Sequence, residues 1–414
     1  MTTPDGWRTA TLGEFMVERG GSVAPAKFPD ETFELYSIPA HDGPGYEMVR
    51  GADIGSSKRI VEPGDVMVSK IVPHIQRARV VGPDSGHRQI ASTEWISFRS
   101  DAHDPHFLRY FLLSSEFHGH FMRTVSGVGG SLNRAQPVRV KSIRVAVPPL
   151  DEQRRIVEIL EDHLSHLDAA ADYESAALRR LSALRRSALD AHFGTRGEGV
   201  RLDDLIVEIT AGKSFGSSAS PAAPDEWGII KVSAMTWGEF DPTQNKAVPA
   251  TSVDTRYEIK AGDLLVSRAN TSEYVGASVL VGDTRPRLLL SDKSLRITPK
   301  PSVRTEWLWR ALQSPSARRQ ISSLATGTKD SMRNISQGSL RSVVLPTADA
   351  AEQSRSLAAY EEVEVGQQRL ASQLELQSKR LLALRRAVLA AAFEGKLTGR
   401  QSDTEVIEEL AHEA

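Results

Sequence analysis

The chain has 414 residues, 40% hydrophobic and 25% charged, with a formal net charge of −2 and no cysteine. Its length predicts two or three domains, and the missing cysteines exclude disulfides, thiolate catalysis and cysteine-ligated zinc, which fits a reducing cytosol. Residues 1–7 lack the basic and apolar stretches of a signal peptide, and no apolar run approaches the roughly 20 residues of a membrane helix, so a cytoplasmic chain without membrane contact is expected.

In chain order, short β-branched runs at 65–68 and 79–81, bounded by Gly, Pro and Asp, predict strands. Residues 107–121 predict a short amphipathic helix, the glycines at 127, 129 and 130 a loop, and 143–147 a strand that Pro148 ends. No Pro occurs from 151 to 193, where Ile156, Leu160, His163, Leu167, Ala170, Glu174, Ala177, Leu181, Leu184, Ala188 and Ala191 recur in steps of four and three. That spacing is the seam of a coiled coil. Strands follow at 229–232, 264–266 and 277–281, an amphipathic helix at 306–321, and a last strand at 340–345 before Pro346. A second Pro-free stretch, 350–393, repeats the seam with Tyr360, Val363, Gln367, Leu370, Leu374, Gln377, Leu381, Leu384, Val388 and Ala391. Residues 401–414 hold five acids and no Lys or Arg, an acidic tail.

The two halves are copies of one unit. LSALRRSALDAHF at 181–193 returns as LLALRRAVLAAAF at 381–393, and Glu152-Gln153 returns as Glu352-Gln353. The run from Pro63 to Lys70 is answered by the run from Ala261 to Arg268, and Phe107-Leu108 by Trp307-Leu308. Each copy is a globular α/β part followed by a long helix. An isolated helix would leave its apolar seam bare, so each needs a partner. Antiparallel pairing within the chain relates the two copies by a pseudo-two-fold axis and benefits from high effective concentration; parallel pairing with a second chain is the alternative.

Charge is unevenly spread. Arg123, Arg134, Arg139, Lys141 and Arg144 lie between Glu116 and Asp151 without an acid, and Arg310, Arg318, Arg319, Lys329, Arg333 and Arg341 stand against Asp330 alone between Glu306 and Asp349. Such basic segments suit a polyanion met on one face; solvated surface is the plainer reading of each alone.

The run Pro148-Pro149-Leu150-Asp151-Glu152-Gln153-Arg154-Arg155-Ile156 opening a long helix resembles the conserved regions of Type I restriction–modification specificity subunits. So do Ala392-Phe393-Glu394-Gly395-Lys396-Leu397-Thr398-Gly399, the openings Arg19-Gly20-Gly21-Ser22 and Thr210-Ala211-Gly212-Lys213-Ser214, and the Gly-Asp strand of each copy. Pro346-Thr347-Ala348-Asp349 departs from the family's usual Pro-Pro, which leaves the start of the second helix open. The resemblance implies an α+β fold: two similar α/β target-recognition domains at 1–149 and 197–348, separated by antiparallel coiled-coil helices at 150–196 and 349–400, with the tail at 401–414. It implies a non-catalytic reader of a bipartite, asymmetric sequence in double-stranded DNA, with the helices as ruler and docking surface. The implied partners are two modification (methyltransferase) subunits and restriction (translocase–nuclease) subunits, which hold S-adenosylmethionine, ATP and magnesium; this chain itself binds no cofactor.

The residues agree that chemistry lies elsewhere. Asp104-Pro105-His106-Phe107 lacks the second Pro of an amino-methyltransferase motif, and neither a dinucleotide fingerprint nor a Walker loop is present. His163 and His166, one turn apart, could share a metal but fit an interface better. The arginines at 179–180 and 185–186, like those at 380 and 385–386, suit solvated faces and methyltransferase docking equally, with phosphate contact a further reading. Base edges are read by Arg, Lys, Asn, Gln, Ser and Thr on exposed loops, and two loops in each copy qualify. The first carries Lys70, His74, Gln76 and Arg77, matched by Arg268, Asn270, Thr271 and Ser272. The second carries Ser131, Asn133 and Arg134, matched by Thr328, Lys329, Ser331, Arg333 and Asn334. Ordinary polar loops are the alternative, as is a coiled-coil scaffold without DNA or a specificity module of a modification-only system.

Overall fold

A computed structural model of the chain describes residues 4, 6–18, 20–126, 133–218, 220–236, 238–327, 330, 332–398 and 403–413. Contacts divide it into two units, 1–174 with 375–414, and 175–374. Each unit takes one part of both long helices, Leu150–Phe193 and Ala350–Phe393, so the chain passes from unit to unit inside a helix.

In the first unit, Arg8–Thr11 pairs antiparallel with Arg144–Val147, tying the start of the globular part to its end. A three-stranded antiparallel sheet places Val66–Ser69 between Ala78–Val80 and Trp95–Phe98. A five-stranded mixed sheet runs in the order Ser22–Val23, Lys58–Ile60, Gln89–Ala91, Thr32–Tyr36, Glu47–Arg50. The amphipathic stretch from 107 is two helices, Pro105–Leu113 and Ser115–Met122, rather than one. Ser114 ends the first and caps the second, accepting from Phe117 N at 3.2 Å, and Asp104 caps the first with Pro105 in its first turn. Phe107 and Phe111 from the first of these helices meet Phe393 edge to face, at 5.3 and 5.5 Å between ring centres. Ile156, Leu160, Leu164, Val388 and Ala392 complete this core, so the opening of one helix and the close of the other run antiparallel against the globular part.

The second unit repeats the plan. Leu264–Ser267 lies between Ser278–Leu280 and Ser294–Pro299, which pairs in turn with Ile206–Ala211. Helices Thr305–Gln313 and Pro315–Leu324 break at Ser314, here with Pro315 rather than Ser opening the following helix. Trp307, Leu308, Leu312 and Ile321 pack with Leu189, Phe193 and Tyr360, and Phe193 meets Tyr360 edge-on at 5.5 Å.

Three expectations change. The strand expected over 340–345 is only Val344–Leu345, because Ser336 caps a short helix, Gln337–Arg341. The segment read as an acidic tail carries a helix, Asp403–Glu413, whose Val406 is buried in the first core. In the seam, Leu184 and Leu370 are 54% and 45% exposed, and Gln377 is exposed. The small Ala371 and Ser378 are half-buried where Leu370 and Gln377 are exposed. The departure at Pro346 costs the second helix nothing: Asp349 Oδ1 accepts from Glu352 N at 2.8 Å, while Glu352 accepts from Asp349 N at 2.9 Å. Among the described residues no helix is long and apolar enough to cross a membrane.

Candidate nucleic-acid interface

In each unit the Gly-Asp strand runs into the first of the two candidate loops, and the second lies beside it. In the first unit Lys70 N donates to Glu94 O at 2.9 Å, Ala135 N to Lys70 O at 2.8 Å, and Val72 N to Asn133 O at 3.3 Å. Val72 takes a φ of +48° at this junction. A β-branched residue pays about 1–3 kcal/mol for that conformation, so the surrounding contacts hold the loop under strain. In the second unit Arg268 N donates to Lys293 O at 2.8 Å and Ile335 N to Arg268 O at 3.0 Å. Ala269–Asn270 pairs antiparallel with Arg333–Asn334, and Ser272 N donates to Asp330 O at 2.9 Å. Residues 198–200 apart in sequence therefore stand in the same backbone positions.

The side chains divide by what holds them. Arg77 grips Asp42 with two bonds of 2.8 and 2.6 Å, and these hold the Asp42 carboxyl below its usual range. Gln76 lies 3.4 Å from the carbonyls of Leu113 and Ser114, and His74 is exposed. Lys70 lines a cleft of about 290 Å³ with Arg59 and Lys141, the last paired with Glu18. Arg134 is bound to Glu94 at 3.1 and 3.4 Å, and Asn133 is engaged as well.

In the second unit Arg268, Ser272 and Asn334 are exposed. Asn270 Oδ1 accepts from Thr271 N at 2.9 Å, whereas Asn270 Nδ2 and Thr271 Oγ1 are buried without a partner among the described residues. Arg333 bends back onto its own loop, donating to Ala325 O at 2.5 Å and Gly327 O at 3.3 Å. Ser131, Thr328, Lys329 and Ser331 lie outside the described residues.

Four residues that sequence reasoning passed over belong to these sites. Asp42 and Glu94 are acids set against the candidate arginines. Lys293 occupies the place of Glu94 in the second unit, and the repeat offset was the signal that could have found it. Arg318 donates to the carbonyls of Glu273 and Val275 at 3.1 and 2.8 Å, fixing the far side of the 268–276 loop, and burial pushes its pKa down. It lies on a helix behind the loop, within the basic segment read from sequence, but the charge run alone does not single it out.

No protein-family model matches the chain. It is 29% identical over 199 residues to the Type I restriction enzyme EcoEI specificity subunit of Escherichia coli, a stretch spanning 47% of this chain and 34% of that relative. It is 23% identical over 318 residues to the Type I restriction enzyme EcoKI specificity subunit of Escherichia coli K12, spanning 70% of this chain and 67% of the relative. The match thus takes in about a third of the length of the first relative and two thirds of the second. Among solved structures, a chain described in work on complex assembly and conformational transition of the type I R-M system superposes with a TM-score of 0.77, at 22% identity, over 96% of this chain and 100% of that one. The HsdS subunit from Thermoanaerobacter tengcongensis gives a TM-score of 0.52 at 21% identity, over 96% and 99%. Sequence relatives and fold neighbours converge: the chain is similar in sequence to Type I restriction-enzyme specificity subunits and shares the fold of the HsdS subunit.

Proposed function

We infer that this chain reads a bipartite, asymmetric sequence in double-stranded DNA for a Type I restriction–modification complex, each unit taking one half-site. The observation that carries the reading is the repeated pairing of two polar loops, with cations at matched backbone positions and different residues around them. Equivalent scaffolds with unlike side chains are what two different half-sites require. The chain itself is non-catalytic, and the long helices carry the docking of two methyltransferase subunits, with restriction subunits beyond them. The domain limits read from sequence, 1–149 and 197–348 for the readers and 150–196 and 349–400 for the helices, stand as part of this proposal.

The test is methylation mapping on random duplex DNA. The chain purified with its methyltransferase partner should methylate adenine within one interrupted motif, and the chain alone should transfer no methyl group. Methyl transfer by the isolated chain, or methylation without a two-part motif, would overturn the reading.

A further inference from the structure

The two units differ in charge at one structurally matched spot beside their loops. Glu94 in the first unit and Lys293 in the second each offer the backbone carbonyl that receives the loop's first N–H, from Lys70 and Arg268 respectively. The neighbour across the loop pair is Arg134 in the first unit and Asn334 in the second, each opposite the residue that follows the loop's first cation, Ile71 or Ala269.

An acid on a surface that meets phosphates is unfavourable for general affinity, since it repels the backbone. Glu94 is only 26% exposed in its side chain and holds Arg134 with a two-pronged bond, Nε to Oε2 at 3.1 Å and Nη2 to Oε1 at 3.4 Å. A guanidinium carries five N–H groups in one plane. Glu94 occupies the Nε edge, and the Nη1–Nη2 edge keeps the paired donors that match guanine O6 and N7. The carboxylate also offsets the charge that would draw Arg134 to a phosphate. At the equivalent place Lys293 and Arg268 are both exposed, and neither side chain has a bonded partner among the described residues. A compact ammonium suits a phosphate rather than a base edge.

We propose that Glu94 is a positioning and specificity-determining residue that turns Arg134 into a reader of guanine in the first half-site, while Lys293 anchors the second unit on the DNA backbone. This rests on the function proposed above. The Arg–carboxylate plane fixes the direction of the free donors, and base discrimination follows from that fixed direction.

The experiment uses the full chain in complex with its methyltransferase subunit. It measures base preference at every motif position by selection from random duplexes, and the salt dependence of binding to one selected duplex. Glu94→Gln should lower guanine preference at one position of one half-site roughly 10-fold, as expected for loss of one good bidentate contact. It should also steepen the salt slope by about one, because the released Arg134 takes a phosphate. Glu94→Asp should restore part of the preference. Lys293→Ala should make the slope shallower by about one and leave base preference unchanged in both half-sites. The untouched half-site reports folding and assembly in each case. If Glu94→Gln leaves both preference and slope as they were, or weakens both half-sites together, the positioning role is overturned while the two-part reader stands. If the unaltered complex shows no two-part preference, both fall.

Discussion

The carboxylate of Asp65 is 1% exposed, and it binds Glu62 N at 3.0 Å and the Arg99 guanidinium at 2.6 and 2.8 Å. Asp263 repeats this with Lys260 N and Arg296, both at 3.0 Å, and Gly64 and Gly262 before them take φ of +84° and +87°. The Gly-Asp motif legible in sequence is therefore a turn and an ion pair that set the strand feeding each loop. Its side-chain bonds run to the turn and to the paired arginine, so it acts on the loops through backbone geometry. Other residues tie the first unit's fold to pH. His103 Nε2 lies 2.9 Å from Arg8 Nη2, and since a guanidinium can only donate, that nitrogen accepts and the ring is neutral. Burial, helped by Arg8, pushes His103 below its ordinary 6.5; burial with Arg79, Arg77 and Arg109 does the same to His41 against the opposing Asp42; burial and His74 do so to His118. A histidine depressed in the fold leaves stability intact above 6.5 and loses it as pH falls through the folded value, because the unfolded chain binds the proton first. The melting temperature of the first unit should thus fall as pH drops below about 6.5, and His103→Gln should flatten that fall. An unchanged slope in the variant would remove His103 from the account. The acids at 42 and 94 were invisible beforehand because a contact across 35 or 40 residues leaves no local pattern.

The long helices show which parts of a periodic signal survive folding. Both ran as expected, 44 residues each, and the repeated Gln153 and Gln353 prove to be clamps rather than surface. Gln153 accepts from Asp104 N at 2.9 Å and donates to Pro148 O at 2.8 Å; Gln353 accepts from Arg304 N at 2.8 Å and donates to Ser302 O and Ala348 O. Period alone could not choose between Leu370 and Ala371, since both lie near the same stripe, and the smaller side chain is the less exposed of the two. Polar groups enter the seam of the second unit, where Glu364 binds Arg310 at 2.5 Å and Arg185 at 3.7 Å. A seven-residue seam allows a direct test of spacing. One heptad inserted after Ala171 and one after Ala371 keeps each packing face and lengthens each helix by about 10 Å. With about 3.4 Å per base pair, the gap in the recognised motif should widen by up to about three base pairs, each half still read as before. A single insertion should abolish activity by breaking the pairing. An unchanged gap in an active double variant would remove the helices from control of spacing.

At the scale of the molecule, neither division by sequence half nor division by copy describes the cores. The first unit needs residues 375–414 as well as 1–174, whereas the second is one continuous stretch, 175–374. Ending the chain after Leu374 would remove Val388, Ala391, Ala392, Phe393 and Leu397 from the first core and leave the second unit's residues complete. Removing one buried Phe side chain alone costs about 3–5 kcal/mol, against about 5–15 kcal/mol for a whole domain. Hydrogen exchange of the truncated chain should show residues 8–147 unprotected and 200–345 still protected. Protection of both would mean that the first unit closes its core without the second helix.

The same division orders events during synthesis. Ile156 and Leu160 leave the ribosome with their own globular part, but the residues that cover them, through Phe393, follow some 200 positions later. At roughly 5–20 residues per second the delay is about 10–40 s. The unit made first is therefore the unit finished last, and for that interval Phe107, Phe111 and the opening of the first long helix present an apolar face to the cell. The second unit has all its residues in hand before then. An apolar face left open for that interval is where the closing helix of another copy would exchange, so slower translation of residues 375–393 should raise the share of helix-exchanged chains.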